Sequence, residues 1–175
     1  IYDREHVLIE GVNGAGKSTL LGVIAGTVPF SEGFMTIAEE LTVGYLAQDS
    51  RWDDMGKSAA DTFAAAVPAG SPSLEEMGLL TADKARLPMR SLSLGQRRRV
   101  AIGITLASPP DILLLDEPTN HISLTLAEDL ERAIADFPGI VIVASHDRWL
   151  RDRWQGRRFA MSHEEGLTEL AGSSR

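Results

Sequence analysis

Apolar and polar residues fall in blocks along this chain. His6–Glu10 (HVLIE), the four central residues of Asp111–Pro118 (DILLLDEP) and Ile140–Ala144 (IVIVA) are short apolar runs. That is the pattern of strands buried on both faces, as in a parallel sheet. Helical periods lie around them. Ser18–Ala25 (STLLGVIA) follows the first run, and Gly26 and Pro29 stop it. Arg97–Ala107 follows Ser93, a residue type that caps helix N-termini. Ser123–Phe137, with Ser123 as its cap, carries Leu126, Leu130, Ala133, Ile134 and Phe137 on one stripe and ends at Pro138-Gly139. Alternation predicts short strands over Ser31–Ala38 and Leu41–Leu46, and a last hairpin from Arg158–Ser162 and Leu167–Leu170. Arg148–Trp154 reads as a short basic-aromatic helix. Residues 51–87 change character. Lys57–Val67 is Ala-rich and helical, Pro68, Gly70 and Pro72 break it, and Leu74–Leu80 and Ala82–Leu87 predict two short helices. The whole predicts an α/β core with a small helical insert at about 51–107.

The strongest chemical signal is Gly11–Thr19, GVNGAGKST. It fits G-x-x-x-x-G-K-[ST], the phosphate-binding loop, between a buried strand and a helix. Glycines let the backbone turn sharply and approach an anion. The loop amides of Gly11, Asn13, Gly14, Ala15, Gly16, Lys17, Ser18 and Thr19, with the helix N-terminus behind them, form a phosphate cradle. Lys17 is placed to reach the β- and γ-phosphates, and the Ser18 hydroxyl to ligate Mg²⁺.

Composition narrows the rest. A chain of 175 residues is of single-domain size, and 43% apolar residues suit a globular protein. No run approaches the roughly 18 apolar residues of a membrane span. Cysteine is absent, which excludes disulfides and thiolate chemistry. The net charge of −8 argues against a general nucleic-acid binder. The triplet Arg97-Arg98-Arg99 therefore reads as a solvated helix face. Asp116 and Glu117 end a buried strand, at the sheet edge where open α/β folds bind ligands. Behind a phosphate-binding loop, two acids there suggest metal binding and water activation. Ser145-His146-Asp147 ends another buried strand on the same edge, which makes His146 a candidate phosphate sensor. Gln48, alone, reads as a solvated polar residue.

Taken in order, these motifs resemble the nucleotide-binding domain of ATP-binding cassette (ABC) proteins over nearly the whole chain. GVNGAGKST resembles Walker A, Gln48 the Q-loop glutamine, Leu92–Gln96 (LSLGQ) the LSGGQ signature, DILLLDEP Walker B with the catalytic glutamate, and His146 the switch histidine. Asp116–His121 (DEPTNH) and Ser145–Arg148 (SHDR) resemble the ABC-F group, whose members carry two cassettes on one chain and act on the ribosome in translation or antibiotic resistance. The SHDR-WL ending is like a second cassette. Leu94 departs from the signature's first glycine, and Ile122 and Ser123 depart from the family's Leu-Asp.

The resemblance implies a P-loop NTPase fold, α/β with a mostly parallel core sheet, a small helical subdomain, and an antiparallel β portion truncated at the N-terminus. It implies one nucleotide-binding domain over 1–175, lacking its first strands and its adenine-stacking aromatic. It implies ATP and Mg²⁺, with Ser18, Gln48 and Asp116 at the metal, Lys17 on the phosphates, Glu117 on the attacking water, and Gln48 and His146 completing the catalytic set. Ser93, Gly95 and Gln96 would close over ATP on a second cassette in a head-to-tail sandwich. It implies a cytoplasmic protein, reaching the ribosome through parts outside this chain, with no insertion in the membrane. The alternative is the ATPase subunit of a membrane transporter. The 45 positions between Gln48 and Ser93 are short for such a cassette. A non-hydrolysing structural cassette is disfavoured by Glu117 and His146.

Overall fold

The computed structural model describes residues 1–29, 32–38, 40–48, 50, 52–120 and 122–170. It divides into two units: Ile1–Gln48 with Pro110–Asn120 and Thr125–Arg175, and Asp49–Pro109 with His121–Leu124.

The first unit is built on a six-stranded sheet. Its strands are β1 (His6–Glu10), β2 (Val43–Leu46), β3 (Ile112–Asp116), β4 (Ile140–Ala144), β5 (Arg157–Ser162) and β6 (Gly166–Leu170), in the order β2-β3-β4-β1-β5-β6. All pairings are parallel except the β5–β6 hairpin. The helices of this unit are α1 (Lys17–Ile24), α5 (Leu124–Ala135, whose first residue clusters with the other unit) and α6 (Arg148–Arg153); α2, α3 and α4 belong to the second unit.

The continuous apolar runs do become central strands, and every residue of β3 is buried. Val7 and Ile9, Ile112 and Leu114, and Ile142 and Ala144 share one face of the sheet and pack with Leu21 of α1. Burying a leucine or isoleucine side chain of this kind stabilises by about 1.5–3 kcal/mol. On α5, Ala127, Leu130 and Ile134 form the buried stripe at helical spacing. Register then aligns the strand ends: Ile9 pairs with Ala144, and Ala144 with Asp116. Three adjacent strands therefore finish level, and the loops leaving them emerge side by side.

Polar contacts pin the sheet away from that edge. Asp111, just before β3, accepts hydrogen bonds from the Thr42 N–H at 2.8 Å and its hydroxyl at 2.7 Å, which hold its carboxyl below the usual range. Arg157 on β5 meets Glu5 at 2.8 Å and clasps Glu169 on β6 through two nitrogens at 2.7 and 2.9 Å. It lowers the pKa of both carboxyls.

The second unit holds α2 (Ala59–Ala66), α3 (Ala82–Ala85) and α4 (Leu94–Ala107). Ser58 caps α2 by accepting from the Asp61 N–H. Gly103 lets α4 pack closely, since a Cβ there would meet Leu74 and Leu79 side chains at 2.9 Å. Phe63, Leu74, Leu79, Met89, Val100 and Ile102 are among its buried apolar residues.

Three sequence expectations fail. Residues 32–38 form no strand, Ser31 lies outside the described residues, and Phe34 is 95% exposed. Among the described residues no partner strand matches the alternation there, and β2, at the sheet edge, pairs only with β3. Leu74–Leu80 is a set of turns rather than a helix: the Leu79 and Leu80 N–H groups both converge on the Leu74 carbonyl, and Gly78 takes a left-handed φ of 69°. The arginine triplet is not a solvated face. Arg98 is buried, while Arg97 donates to the Leu92 carbonyl at 2.9 Å and Arg99 to that of Leu79 at 3.4 Å. Long guanidinium side chains bind exposed carbonyls of the turns that α4 packs beside.

Candidate active site

The loop after β1 is shaped by what lies around it. A Cβ on Gly11 would stand 2.5 Å from the Met161 carbonyl oxygen of β5, so only glycine fits. Gly14 and Gly16 have φ of 85° and 100°, the left-handed region that favours glycine. Gly16 is the N-cap of α1, and no side chain caps that helix start. The Ala15 N–H turns inward to the Val12 carbonyl at 3.2 Å, so Ala15 shapes the loop with its amide already engaged. Asn13, Gly14, Ser18 and Thr19 face solvent. Lys17, only 5% exposed, curls back over the loop: its ammonium donates to the Gly11 carbonyl at 2.8 Å and the Val12 carbonyl at 3.3 Å.

Asp116 closes β3 with 1% exposure. Glu117 follows with φ 45°, a left-handed conformation for a residue with a side chain. Such a conformation costs about 1–2 kcal/mol. Its N–H bonds the Ala144 carbonyl at 2.8 Å, so the β3–β4 pairing holds the strained residue in place. The carboxylate turns into a cluster. Oε1 meets His146 Nδ1 at 2.7 Å and the Lys17 ammonium at 3.6 Å. Oε2 accepts from the Ser145 hydroxyl at 3.1 Å and the His146 N–H at 3.4 Å. The His146 side chain remains 48% exposed, so the imidazole edge away from Glu117 reaches solvent.

Thus the structure brings together Lys17, Glu117 and His146, with Asp116 one residue away. Gln48 is exposed, two residues past β2. Ser93, Gly95 and Gln96 stand in the other unit, at the start of α4. There Ser93 Oγ accepts from the Gln96 N–H at 3.2 Å, and Gln96 Oε1 accepts from the Ser93 N–H at 2.9 Å, a reciprocal capping box. The Ser93 hydroxyl proton stays available to an outside acceptor. Leu94 is the first helical residue and 43% exposed, a position a leucine occupies without strain.

Sequence reasoning missed two parts. Ser145, fully buried, supplies the hydroxyl on Glu117 Oε2. Glu10, the last residue of β1, is clasped by Arg158 Nε at 2.5 Å and lies 3.4 Å from Arg151 Nη1. Their only sequence signal was adjacency to recognised motifs: Ser145 precedes His146, and Glu10 precedes Gly11.

The donor set fits a nucleotide triphosphate with Mg²⁺. An uncapped helix start, left-handed glycines and a buried ammonium suit phosphate oxygens. Among the described residues no cluster of three His, Cys, Asp or Glu could hold a metal. Mg²⁺ needs none: it binds through one or two protein oxygens plus substrate phosphates, and Ser18, Asp116 and Gln48 offer such oxygens.

A parallel sheet with a glycine-rich phosphate loop at its carboxyl edge, opposite paired acids and a histidine, defines a P-loop ATPase domain. A family model described as ABC transporter matches residues 1–120. The chain belongs to this ATP-binding cassette family, as an ABC-type ATPase domain, and within it is most like the ABC-F group. It is 37% identical over 171 residues to the tylosin resistance ATP-binding protein TlrC of Streptomyces fradiae, covering 95% of this chain and 30% of that protein. It is 33% identical over 200 residues to the energy-dependent translational throttle protein EttA of Escherichia coli K12, covering 90% of this chain and 36% of that one. The archaeal ribosome recycling factor aABCE1, solved with the ribosomal stalk protein aP1, superposes with a TM-score of 0.73 at 28% identity, covering 97% of this chain and 34% of that one. The chain spans about a third of the length of these relatives. Among the described residues no helix is long and apolar enough to cross a membrane.

Proposed function

We propose that this chain is an ABC-F-type cassette, the second of two, that binds and hydrolyses ATP in the cytoplasm and acts on the ribosome in translation or antibiotic resistance. The observation that carries the chemistry is the buried Glu117 carboxylate, gathered with Lys17, Ser145 and His146 at the carboxyl edge of the sheet. The ribosomal role is supported by the relatives' names, one a translational throttle, one a tylosin resistance protein and one a ribosome recycling factor.

Phosphoryl transfer asks the protein mainly for positioning and charge neutralisation. The loop amides and Lys17 hold the phosphates, Lys17 exchanging its contacts with the Gly11 and Val12 carbonyls for phosphate oxygens. Ser18, Gln48 and Asp116 would hold Mg²⁺, which neutralises charge building on the β- and γ-oxygens. Glu117 orients a water and takes its proton as the water oxygen bonds to the γ-phosphorus; the bond from that phosphorus to the β,γ-bridging oxygen breaks, and ADP leaves with the electron pair. His146, anchored by Nδ1 on Glu117, presents Nε2 to the γ-phosphate, to which it donates when that nitrogen carries a proton. Ser93, Gly95 and Gln96 serve the nucleotide of a partner cassette in a head-to-tail pair, with the spare Ser93 hydroxyl proton as donor. The helical insert at about 51–107 serves as the helical subdomain of the same nucleotide-binding domain.

The test is ribosome co-sedimentation of the full-length protein carrying Glu117→Gln, with ATP and Mg²⁺. The reading expects the variant to bind ATP and pellet with ribosomes, and expects added Ser93→Arg to release it by placing a cation against the partner's phosphates. Fractionation with membranes and never with ribosomes would favour a transporter subunit instead.

A further inference from the structure

Two loops leave the sheet edge together, and a closed circuit of hydrogen bonds joins them. Thr119 lies two residues after Glu117, and Asp147 two residues after Ser145. The Thr119 hydroxyl donates to Asp147 Oδ2 at 2.9 Å. The Asp147 N–H donates to Ser145 Oγ at 3.1 Å, and Ser145 Oγ donates to Glu117 Oε2 at 3.1 Å. The main chain from Glu117 to Thr119 closes the ring. Asp147 Oδ1 meanwhile accepts from the Trp149 N–H at 2.9 Å and so caps α6.

Chemistry fixes the direction of each bond. An amide N–H can only donate, so Ser145 Oγ accepts from Asp147 and has a single proton to give. That proton goes to Glu117. Asp147 is an acceptor, so the Thr119 hydroxyl donates. Ser145 is fully buried, so no solvent replaces its hydroxyl on Oε2; the His146 N–H also reaches Oε2, at the longer distance of 3.4 Å.

We propose that Thr119, Asp147 and Ser145 are positioning residues for hydrolysis: the ring aims the Glu117 carboxylate at the attacking water and sets the place of His146. The inference rests on Glu117 being the group that handles that water. The ring bonds of Thr119, Asp147 and Ser145 go to no phosphate-loop residue, and Glu117 meets Lys17 at 3.6 Å through Oε1 rather than the Oε2 that the ring holds, so breaking the ring changes the aim of the carboxylate and leaves the phosphate cradle in place. Small displacements of a positioned group cost much of its effect on the rate.

The experiment compares Thr119→Val, Thr119→Ser, Ser145→Ala and Glu117→Gln in the full-length protein. It measures kcat and KM for ATP, affinity for a fluorescent ATP analogue, and thermal midpoint. Valine keeps the threonine's shape and loses the hydroxyl, whereas serine keeps the hydroxyl and loses the methyl. The expected result is a kcat at least about tenfold lower for Thr119→Val, with KM and analogue affinity within about twofold, and near wild-type turnover for Thr119→Ser. Thr119→Val with Ser145→Ala should cost no more than the worse single change, since both break one ring. If Thr119→Val does not fold, Thr119→Ala takes its place beside Thr119→Ser: both lose the methyl and alanine alone loses the hydroxyl, so it should lower kcat in the same way. Wild-type kcat for Thr119→Val, or equal impairment of Thr119→Ser and Thr119→Val, overturns the inference, because a packing role predicts harm from serine and none from valine. A lost turnover in Glu117→Gln beside an unaffected Thr119→Val sinks the ring alone. Unchanged turnover in Glu117→Gln removes the reading of the site and the inference with it.

Discussion

Two carboxylates end neighbouring parts of one sheet edge and are held in opposite ways. Glu10 closes β1 and Glu117 follows β3, and both side chains are at most 10% exposed. Glu10 is met by two guanidiniums, Arg158 at 2.5 Å and Arg151 at 3.4 Å. Glu117 is met by a hydroxyl, an imidazole and a backbone N–H, and the Lys17 ammonium lies 3.6 Å away with two of its three N–H donors on carbonyls. Glu10 keeps an extended strand backbone, whereas Glu117 adopts φ 45°. A carboxylate saturated by guanidiniums in relaxed backbone is a fastener. One held at a strained position by weaker, exchangeable donors is available to chemistry. Neighbourhood on the edge does not distinguish them; their partners do.

Lys17 tests which side of the comparison it belongs to. Were it Glu117's structural counter-ion, removing it would destabilise the fold. As a phosphate ligand it should mainly affect affinity. Lys17→Met should weaken ATP binding about ten- to hundredfold, the loss of one or two charge-assisted hydrogen bonds. Its urea midpoint should move less than that of the next variant. Titration with a fluorescent ATP analogue and urea unfolding check both halves.

Glu10→Gln should show the reverse. It leaves two guanidiniums facing a neutral amide. Breaking a buried pair costs about 3–5 kcal/mol, and the arginines here are about a third exposed, so a loss of about 1–2 kcal/mol is expected. Urea unfolding reads it directly. An unchanged midpoint would mean that Glu10 is no fastener.

The smallest effect belongs to the far side of the sheet, where Arg157 lowers the pKa of Glu5 and Glu169. Carboxyls depressed in the folded state stabilise above their unfolded pKa, about 4.3 for Glu. That contribution is lost as pH falls through their lower folded values. Arg157→Met should therefore be slightly less stable than wild type near neutrality, and the gap should close in acid. Urea midpoints across a pH series would contradict this by showing a gap that widens as pH falls. Salt should shrink the same gap, because the Arg157 and Glu169 side chains are 39% and 51% exposed.

Much of this architecture was legible before the structure, for a physical reason. Strands buried on both faces have no polar side to display, so HVLIE, ILLLD and IVIVA stand out as apolar runs. The glycines of GVNGAGKST and the acids ending β3 then mark the edge. What stayed hidden depends on distant partners. Nothing near residues 32–38 in sequence says whether a neighbouring strand exists to pair with them. Glu10 finds Arg151 and Arg158 some 140 positions later. The Thr119–Asp147 bond spans 28 positions and forms only because β3 and β4 finish in register. The arginine triplet shows the same limit: charge marked it as solvated, while open carbonyls around α4 drew it inward.

The most direct test sets the two carboxylates against each other in the full-length protein. Single-turnover cleavage of ATP, with Mg²⁺, is measured for Glu117→Gln and Glu10→Gln under conditions where both are folded and nucleotide-saturated. The predicted result is a cleavage rate about 10²–10⁴-fold lower for Glu117→Gln, the usual worth of a general base, and within about threefold of wild type for Glu10→Gln. Comparable rates in the two variants would contradict the assignment of the chemistry to Glu117.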